Sequence, residues 1–537
     1  MLQSGQNMRI NKILNSILHP FLFGIFFVLF LYAHNADEVL FTDTISSFIT
    51  VFVSILIIVA LFYIIYRDWR RAALVTSLLV VLFFSYGHVF ELRGTNYWTR
   101  HRYLLGAYTL IFLTGAVMAW RSRRDNGVLT RALNIIALLL ILSPLTTLAQ
   151  FQYRVWRVAK NGGEIKNIPK IVSPRKELPP DIYYIMTDAY AAPESLKEFY
   201  NFDNSEFVDY LRGRGFYIVP KSISNHSGTM LSLTTTLNID HLENLSPTGE
   251  ITLEALRPRE LVQDNLVGRF LKSQGYTYIQ MGSFWEGTFH NPYADVNINT
   301  GVLPQFPMLL YSTTAVHPYT FNFGVFDDDK IQWKRVRMQF DALKNIPDDY
   351  DSPVFVFAHI GIPRGPFVFN EDGSFQRPEP EINEPERAEA GLKGEYFVRG
   401  YIKQVQYANL EIKNIVDALL EKSDRPPIII VQSDHGSRIS IKRRSETDNV
   451  DDLYVRDRMR NFSAILLPSG GEEDLYNTIT PINTFRVIFD RYFGTNLGLV
   501  PDRATLALPR EGNEDEEDDK GEHYNLLDVT ERARHDY

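Results

Sequence analysis

The segment PPIIIVQSDHGSR, residues 426–438, indicates the fold class because the apolar run at 428–431 is followed, after two polar residues, by Asp434 and His435. A strand that is apolar at every position is typical of a parallel sheet with helices on both faces. The run DIYYIMTDAY, residues 181–190, has the same form and ends in Asp188 and a short polar stretch. Two such strands predict an α/β domain with its ligand site at the carboxyl ends of the strands.

Further β-rich runs alternate with stretches whose apolar residues recur every three or four positions. The predicted strands are Asp181–Met186, Phe216–Val219, Tyr276–Met281, Val354–Ala358, Ile428–Val431 and Ser463–Leu467. The predicted helices include Ser205–Arg212, Arg259–Ser273, Tyr396–Leu420 and Ile482–Phe493. This alternation predicts a doubly wound, mainly parallel sheet.

Five apolar stretches precede this domain, and each approaches the roughly 20 residues that a bilayer-spanning helix needs. They lie at 13–32, 44–65, 72–90, 104–120 and 132–149. The first is too long for a removable signal peptide and four more follow it, so we expect an N-terminal helical transmembrane bundle. Ionisable residues are nearly absent from these stretches, which favours an anchor over a transporter.

The Lys and Arg residues of the short loops predict the orientation of the bundle. Basic residues precede the first stretch and occupy the second and fourth loops: Arg9, Lys12, Arg67, Arg70, Arg71, Arg121, Arg123, Arg124 and Arg131. The first loop instead carries Asp37 and Glu38. We expect a multi-pass protein of the plasma or inner membrane with a cytoplasmic N-terminus and an extracytoplasmic catalytic domain. Three arginines in the third loop oppose this orientation: Arg93, Arg100 and Arg102.

Composition divides the chain into four predicted regions. They are a membrane domain at 1–150 with five transmembrane helices, a juxtamembrane linker at 151–179, a catalytic domain at 180–500 and an acidic C-terminal tail at 501–537. The net charge of −9 argues against a nucleic-acid partner, which would need a basic face. The chain has no cysteine, which excludes disulfides, zinc–cysteine sites and thiol nucleophiles.

Carboxylates and an imidazole at neighbouring strand ends predict a metal site. Asp188, Asp434 and His435 offer oxygen and nitrogen ligands that suit one divalent ion, Mn²⁺, Zn²⁺ or Mg²⁺. A lone Asp or His after a strand more often caps a helix or closes a turn. Three together favour a metal site.

These residues resemble the alkaline phosphatase superfamily, specifically its sulfatase-like, one-metal membrane branch, which includes lipoteichoic acid synthases and lipid A phosphoethanolamine transferases. The motifs DIYYIMTDAY, SNHSGTMLSLTTTLN and IIIVQSDHGSR carry the resemblance, which covers about residues 180–500. It implies that Asp188, Asp434 and His435 bind the metal and that Thr229 is the nucleophile, bound to the same ion.

Several hydroxyl groups compete for the nucleophile's role in SNHSGTMLSLTTTLN, residues 224–238: Ser227, Thr229, Ser232 and Thr234–Thr236. In the resembling transferases, a Ser follows the nucleophilic Thr by three residues at the start of a helix. Thr229 and Ser232 reproduce this spacing, and a helix N-terminus there would offer N–H groups to an anion. The alternative is a Ser/Thr-rich helix cap without chemistry.

The segment AHIGIPRGPFVF, residues 358–369, is similar to the family's substrate segment His-x-x-x-Pro-His-x-Pro-Phe, with Arg364 in place of the second His. His359 is expected to protonate a leaving alcohol or to hold a substrate oxygen, and Arg364 to grip two oxygens. A capping role at the strand end is the alternative for His359.

The expected function is transfer of a phosphoryl-linked headgroup from a membrane lipid to a cell-envelope glycan or glycolipid through a phosphothreonine. A single ion is expected because a two-metal site would need a further His after His435. Only His523, which follows the acidic run at 511–522, and His535, near the C-terminus, come later, and both are typical of a solvated tail. One alternative is a phosphate- or sulfate-ester hydrolase with the same site, without formylglycine chemistry because cysteine is absent. Another is a catalytically silent envelope protein that binds or scaffolds.

Overall fold

The computed structural model describes residues 15–36, 39–91, 101–122, 126–161, 168–172, 180–247, 249, 251–299, 305–317, 327–351, 353–378, 392–440, 450–509, 524–535 and 537. These residues form two compact units. The membrane unit comprises the described residues of Met1–Trp156 and Leu303–Asp328, and the catalytic unit comprises those of Arg157–Val302 and Asp329–Tyr537.

Helices occupy all five predicted apolar stretches. They are α1 (His19–His34), α2 (Phe41–Tyr66), α3 (Trp69–Glu91), α4 (His101–Arg121) and α5 (Gly127–Asn161). Among the described residues, α2 to α5 are long and apolar enough to cross a membrane, whereas α1 has only 16 residues. The number of spans therefore stays a prediction. The predicted linker begins as a continuation of α5.

A seven-stranded sheet forms the centre of the catalytic unit. Its strands are β1 (Ile182–Asp188), β2 (Tyr217–Ile218), β3 (Thr277–Met281), β4 (Val296–Ile298), β5 (Val354–Pro363), β6 (Ile428–Ser433) and β7 (Ser463–Leu466). The spatial order is β2-β7-β6-β1-β5-β3-β4, and all neighbours are parallel except at β7, which is antiparallel to both β6 and β2. The predicted α/β class and mainly parallel sheet are confirmed.

Helices cover both faces of this sheet. In chain order they and the remaining helices are α6 (Pro193–Tyr200), α7 (Ser205–Gly213), α8 (Thr229–Leu237), α9 (Leu242–Leu245), α10 (Leu253–Leu256), α11 (Pro258–Gln263), α12 (Leu266–Ser273), α13 (Glu286–Phe289), α14 (Gln305–Ser312), α15 (Asp328–Asp349), α16 (Glu395–Lys422), α17 (Asp452–Met459), α18 (Pro481–Ile488) and α19 (Thr530–Arg534). Successive β1 residues point to opposite faces. Tyr183 therefore lies in the same buried cluster as Phe340 of α15 and Val405 of α16, while Tyr184 on the opposite face packs against Phe485 of α18.

The C-terminal region contains ordered elements at both ends of the predicted tail. Strands β8 (Thr505–Pro509) and β9 (Tyr524–Asp528) pair antiparallel, and α19 follows. Leu506 and Val529 are buried in an apolar cluster with Met459 of α17. The acidic run at 511–522 and His523 lie outside the described residues.

One stretch from the second half of the chain belongs to the membrane unit. We call residues 305–317, which include α14, the docked segment. Its Phe306 and Leu310 are buried in the apolar cluster formed mainly by the membrane helices. The Gly87 N–H of α3 donates to the Thr313 carbonyl at 2.9 Å. A Cβ at Gly87 would lie 2.6 Å from Thr313 Cα, so this approach requires glycine.

Candidate metal centre and active site

The three predicted metal ligands meet at the carboxyl edge of the sheet. Asp188 ends β1, and Asp434 and His435 follow β6, the strand paired in parallel with β1. His435 Nε2 lies 3.4 Å from Asp434 Oδ2 and 3.8 Å from Asp188 Oδ1. One potential ligand atom from each residue lies within 4.8 Å of the other two.

The chemistry of this cluster fits one divalent ion. Asp188 Oδ1, Asp434 Oδ2 and His435 Nε2 are buried and have no hydrogen-bond partner among the described residues. Leaving a buried polar atom unpaired costs roughly 1–3 kcal/mol, which a bound cation would offset. Ligands of a tetrahedral ion with bonds of about 2.1 Å lie about 3.4 Å apart, close to the observed separations. The cluster would thus hold an ion without large rearrangement.

The remaining polar atoms of two ligands are tied to the backbone. Asp434 Oδ1 accepts hydrogen bonds from the Ala189 and His435 N–H groups, each at 3.0 Å. His435 Nδ1 lies 2.7 Å from the Gly436 carbonyl. A carbonyl only accepts, so Nδ1 carries the ring proton and Nε2 presents its lone pair to the cluster. The backbone thereby orients both side chains.

The charge of Asp188 is set by its neighbours. Burial alone would raise the pKa of this carboxyl, but the Arg364 guanidinium, followed by His359 and His435, outweighs burial and holds the pKa well below its usual range. Arg364 Nη1 donates to Asp188 Oδ2 at 3.4 Å. Burial lowers the pKa of His435 and so favours the neutral imidazole that a metal requires.

Thr229 is the first residue of α8, and its side chain is buried. Its hydroxyl has no hydrogen-bond partner within the described part of the chain. The neighbouring hydroxyls differ, because Ser232 donates to the His226 carbonyl at 3.0 Å and Thr234 donates to the Met230 carbonyl at 2.7 Å. Thr235 likewise donates to a carbonyl of its own helix. This contrast favours Thr229 over Ser232, Thr234 and Thr235 as the nucleophile.

His359 lies inside β5, since the strand continues beyond its predicted end at residue 358. It therefore does not cap a strand end. Its Nδ1 is 2.7 Å from the Thr288 hydroxyl, and its Nε2 is 3.8 Å from Asp188 Oδ2. Nε2 is buried and forms no hydrogen bond to any described residue. The ring is held by one nitrogen and presents the other beside the ligand cluster.

The loop after β3 contributes side chains that the sequence analysis missed. Phe284 lies beneath the Arg364 guanidinium, 5.6 Å from its carbon to the ring centre. Trp285 packs edge-on against His359 with ring centres 6.4 Å apart. Applying the strand-end rule to the predicted strand Tyr276–Met281 would have found these residues.

His226 is a further buried polar residue close to Thr229 in sequence. Its Nδ1 lies 3.0 Å from the Thr505 hydroxyl at the start of β8. Its Nε2 is buried without a hydrogen-bond partner among the described residues. Burial, followed by the charges of His241 and Arg503, lowers the pKa of His226 to about 3. The imidazole is therefore neutral at physiological pH.

The position after the candidate metal ligands requires a glycine, Gly436. A Cβ at this position would lie 2.0 Å from the Asp457 carbonyl oxygen and 2.8 Å from that of Arg460. The Gly436 N–H donates to the Arg458 carbonyl at 2.8 Å. The C-terminal end of α17 and residue 460 thus pack directly on the turn after His435, and only glycine leaves room for them.

Comparisons with solved structures find distant similarity. The C-terminal periplasmic domain of EcEptC from Escherichia coli is 11% identical with a TM-score of 0.42, covering 67% of this chain and 96% of that domain. The C-terminal periplasmic domain of phosphoethanolamine transferase EptC from Campylobacter jejuni is 12% identical with a TM-score of 0.38, and the match covers 60% of this chain and 97% of that domain. A third match is a protein of a Bacteroides thetaiotaomicron locus for the metabolism of multiple glycosaminoglycans. It is 14% identical with a TM-score of 0.38, and the match covers 67% of this chain and 92% of that protein.

Family membership comes from the sequence itself. No curated protein matches the chain. The Sulfatase family model matches residues 180–456, about half of the chain, and this region contains all six predicted site residues. The match confirms the predicted resemblance to the sulfatase-like part of the alkaline phosphatase superfamily. The chain belongs to the Sulfatase family.

Proposed function

We propose that this enzyme is a membrane-anchored, metal-dependent transferase that moves a phosphoryl-linked headgroup from a membrane lipid to a cell-envelope glycan or glycolipid. One observation carries the proposal. Three buried ligand atoms, from Asp188, Asp434 and His435, lie together without hydrogen-bond partners among the described residues, and the buried Thr229 hydroxyl is likewise unpartnered. This is the set that covalent catalysis by a metal-activated hydroxyl needs.

The transfer proceeds in two displacements at phosphorus. Thr229 Oγ1 forms a bond to phosphorus while the bond to the lipid alcohol breaks, which leaves a phosphothreonine. The acceptor hydroxyl then attacks the same phosphorus, and the bond to Thr229 breaks. A divalent ion held by Asp188, Asp434 and His435 would lower the pKa of the Thr229 hydroxyl and neutralise charge on the substrate oxygens.

Two side chains beside the ligand cluster serve the substrate. The Thr288 hydroxyl lies 2.7 Å from His359 Nδ1 and holds the ring with Nε2 beside the cluster. As an imidazolium, His359 would pass its Nε2 proton to the departing alcohol oxygen and become the neutral ring. Arg364 has one N–H directed at Asp188, and its planar guanidinium would bind phosphoryl oxygens. Phe284 supports that guanidinium from below. The charge developing on the transferred group is thus met by protein cations.

The charges of the short loops support an extracytoplasmic catalytic unit. The second and fourth loops carry Arg67, Arg70, Arg71, Arg121, Arg123, Arg124 and Arg131 and favour the cytoplasmic side, whereas Arg93, Arg100 and Arg102 of the third loop oppose this orientation. With a cytoplasmic N-terminus and five spans, the chain that follows α5 would be extracytoplasmic.

The test is intact mass measurement of the full chain in detergent after incubation with Mn²⁺ and vesicles of phosphatidylglycerol or phosphatidylethanolamine. We expect a covalent adduct in an acid-quenched sample, and its mass identifies the transferred group. The adduct should be absent in Thr229→Ala and present in the matched control Ser232→Ala. An adduct that persists in Thr229→Ala would contradict the assigned nucleophile.

The family match favours a second candidate, hydrolysis of a phosphate or sulfate ester by the same residues. The two functions differ in the group that accepts the phosphoryl or sulfuryl unit from Thr229. Release of inorganic phosphate or sulfate at the rate of substrate consumption, with or without a glycan present, would identify a hydrolase. A modified glycan supports transfer. Mn²⁺ binding that survives Asp434→Ala would instead support the catalytically silent alternative.

A further inference from the structure

The loop that carries Arg364 is short and is held from three sides. Arg364 directly follows β5, and its N–H donates to the Asp188 carbonyl at 3.0 Å. Its guanidinium also reaches the Asp188 carboxylate, so these contacts fix Arg364 to β1. Gln376 holds the far end of the loop, because its N–H donates to the Val368 carbonyl at 2.9 Å and its Nε2 donates to the Phe367 carbonyl at 3.2 Å.

Gln404 of α16 provides the third support. The side chain is completely buried, and its three hydrogen bonds to described residues all go to the backbone of residues 363–368. Its Nε2 donates to the Pro363 carbonyl at 3.0 Å and to the Arg364 carbonyl at 2.9 Å. Its Oε1 accepts from the Val368 N–H at 2.9 Å. One carboxamide therefore satisfies three backbone groups on both sides of the Arg364 side chain.

The same face of α16 makes two further close contacts. A Cβ at Gly400, one turn before Gln404, would lie 2.4 Å from the Phe367 ring, so the helix and the loop touch without space between them. The Tyr401 hydroxyl donates to the Ala189 carbonyl at 2.7 Å and accepts from the Ala191 N–H at 3.0 Å. Positions 400, 401 and 404 share one helix face. That face braces the segments that follow both β1 and β5.

The segment after Asp188 needs such bracing. Ala189 has φ +64°, a left-handed conformation that is costly for a residue with a Cβ and persists only when its surroundings impose it. Its N–H donates to Asp434 and its carbonyl accepts from Tyr401. Conformations of this kind concentrate at functional sites. Tyr401 and Gln404 thus secure the two loops that place Asp188 and Arg364.

We infer that Gln404 is a positioning residue that sets the reach of Arg364 toward the substrate anion. The inference rests on the proposed function, in which Arg364 binds phosphoryl oxygens. Gln404 has no hydrogen bond to the proposed metal ligands and acts through the backbone of residues 363–368. Without its three hydrogen bonds, the loop keeps its bonds to Asp188 and Gln376 but loses the fixed backbone geometry on both sides of Arg364 that anion binding requires.

The first test measures the loop itself by hydrogen exchange of the full chain in detergent. In Gln404→Met, which keeps the length and apolar packing of the side chain, we expect faster exchange of the Val368 amide and its neighbours. The matched control is Asn409→Leu, which removes a buried carboxamide of the same helix that bonds to Asn204 and Tyr190 instead. Unchanged exchange at 363–368 in Gln404→Met would overturn the inference.

The second test is a double-mutant cycle with Arg364→Ala, using the chromogenic phosphodiester bis(p-nitrophenyl) phosphate and Mn²⁺. Gln404→Met alone should lower kcat/KM by on the order of tenfold, mainly through KM. When Arg364→Ala is already present, Gln404→Met should lower kcat/KM by less than about a further twofold, because the two residues act as one unit. Gln404→Glu keeps the acceptor for the Val368 N–H and loses both donors. Its kcat/KM should lie between those of the parent chain and Gln404→Met.

The two tests separate the inference from the proposed function. Additive losses in the cycle would show that Gln404 does not act through Arg364, and the inference would be wrong even if the enzyme is active. Absence of turnover in the parent chain would count against the proposed function alone. Hydrogen exchange at residues 363–368 would then still show whether Gln404 holds the loop.

Discussion

His435 Nε2 lies 3.4 Å from Asp434 Oδ2, and both atoms are buried with no hydrogen-bond partner in the described ranges of the chain. An ion bound between them stabilises the folded state by mass action. At an Mn²⁺ concentration 100 times Kd, we expect about 2.7 kcal/mol of added stability. Thermal unfolding of the full chain in detergent should show this gain, and Asp434→Asn should abolish it. The control Asp417→Asn, at a partly exposed residue bonded to Tyr210 and Arg214, should retain it.

Thr229→Ala should separate stability from activity. The Thr229 hydroxyl makes no hydrogen bond to any described residue, so its removal should leave the free energy of unfolding within about 0.5 kcal/mol of the parent or raise it. Adduct formation should nevertheless be lost. Ser232→Ala removes a hydrogen bond to the His226 carbonyl and should cost about 1 kcal/mol. A strongly destabilised Thr229→Ala would show that the hydroxyl has a structural partner.

The Thr288 hydroxyl should orient His359 for proton transfer. Thr288→Val removes the hydrogen bond to Nδ1 while keeping the shape of the side chain, and kcat/KM should fall by on the order of tenfold. Thr288→Ser restores a hydroxyl and should recover most of the loss. Calorimetry should give the same Mn²⁺ affinity for all three proteins, because Thr288 contacts none of the proposed ligands. A rate that is insensitive to Thr288→Val would argue against His359 as the acid.

Acid sensitivity should trace in part to His226. Burial lowers the pKa of this imidazole from 6.5 to about 3, so the unfolded chain binds a proton that the folded chain does not. This contribution to stability is fully present above pH 6.5 and is lost as the pH falls toward 3, with a slope of up to about 1.4 kcal/mol per pH unit. His226→Asn should show a shallower dependence of unfolding on pH over that window. Equal slopes for the two proteins would contradict the buried neutral state.

Gly436→Ala should destabilise the metal-binding turn. The added methyl group would lie 2.0 Å from the Asp457 carbonyl oxygen, so the backbone must move, at a cost of about 2–3 kcal/mol. The matched control is Gly213→Ala at the end of α7, where a Cβ meets no atom within 4 Å among the described residues. The control should be neutral or slightly stabilising. Equal melting temperatures for the two variants would show that the backbone at residues 457–460 moves away from the added methyl group without loss of stability.

Much of the sheet could be predicted from the sequence, because strands buried on both faces leave continuous apolar runs. All six predicted strands are present, and β5 runs further than predicted, through Pro363. The short strand β4 and the hairpin β8–β9 carry too few apolar residues to give such a signal. The predicted helix Arg259–Ser273 is two helices, because the Asn265 side chain accepts from the Gly268 N–H and starts α12 anew.

The site was predictable to the extent that strand ends reveal it. Asp188, Asp434 and His435 follow apolar strands, and parallel pairing of β1 with β6 brings them together. Gln404 left no comparable signal, because a buried glutamine in a 28-residue amphipathic helix looks like an ordinary polar position. Its partners are backbone groups, which every sequence contains. Contacts of this kind become visible only when the loop and the helix are seen together.

The docked segment has a practical consequence for any attempt to study the catalytic unit alone. The chain passes between the two units three times. A fragment that begins after α5 therefore retains residues 305–317 but lacks the membrane helices of their unit. Phe306 and Leu310 would then lose the apolar cluster that covers them and face water. Such a fragment should self-associate through the exposed apolar side chains of the docked segment. Replacing residues 303–328 by a short polar linker should prevent this association.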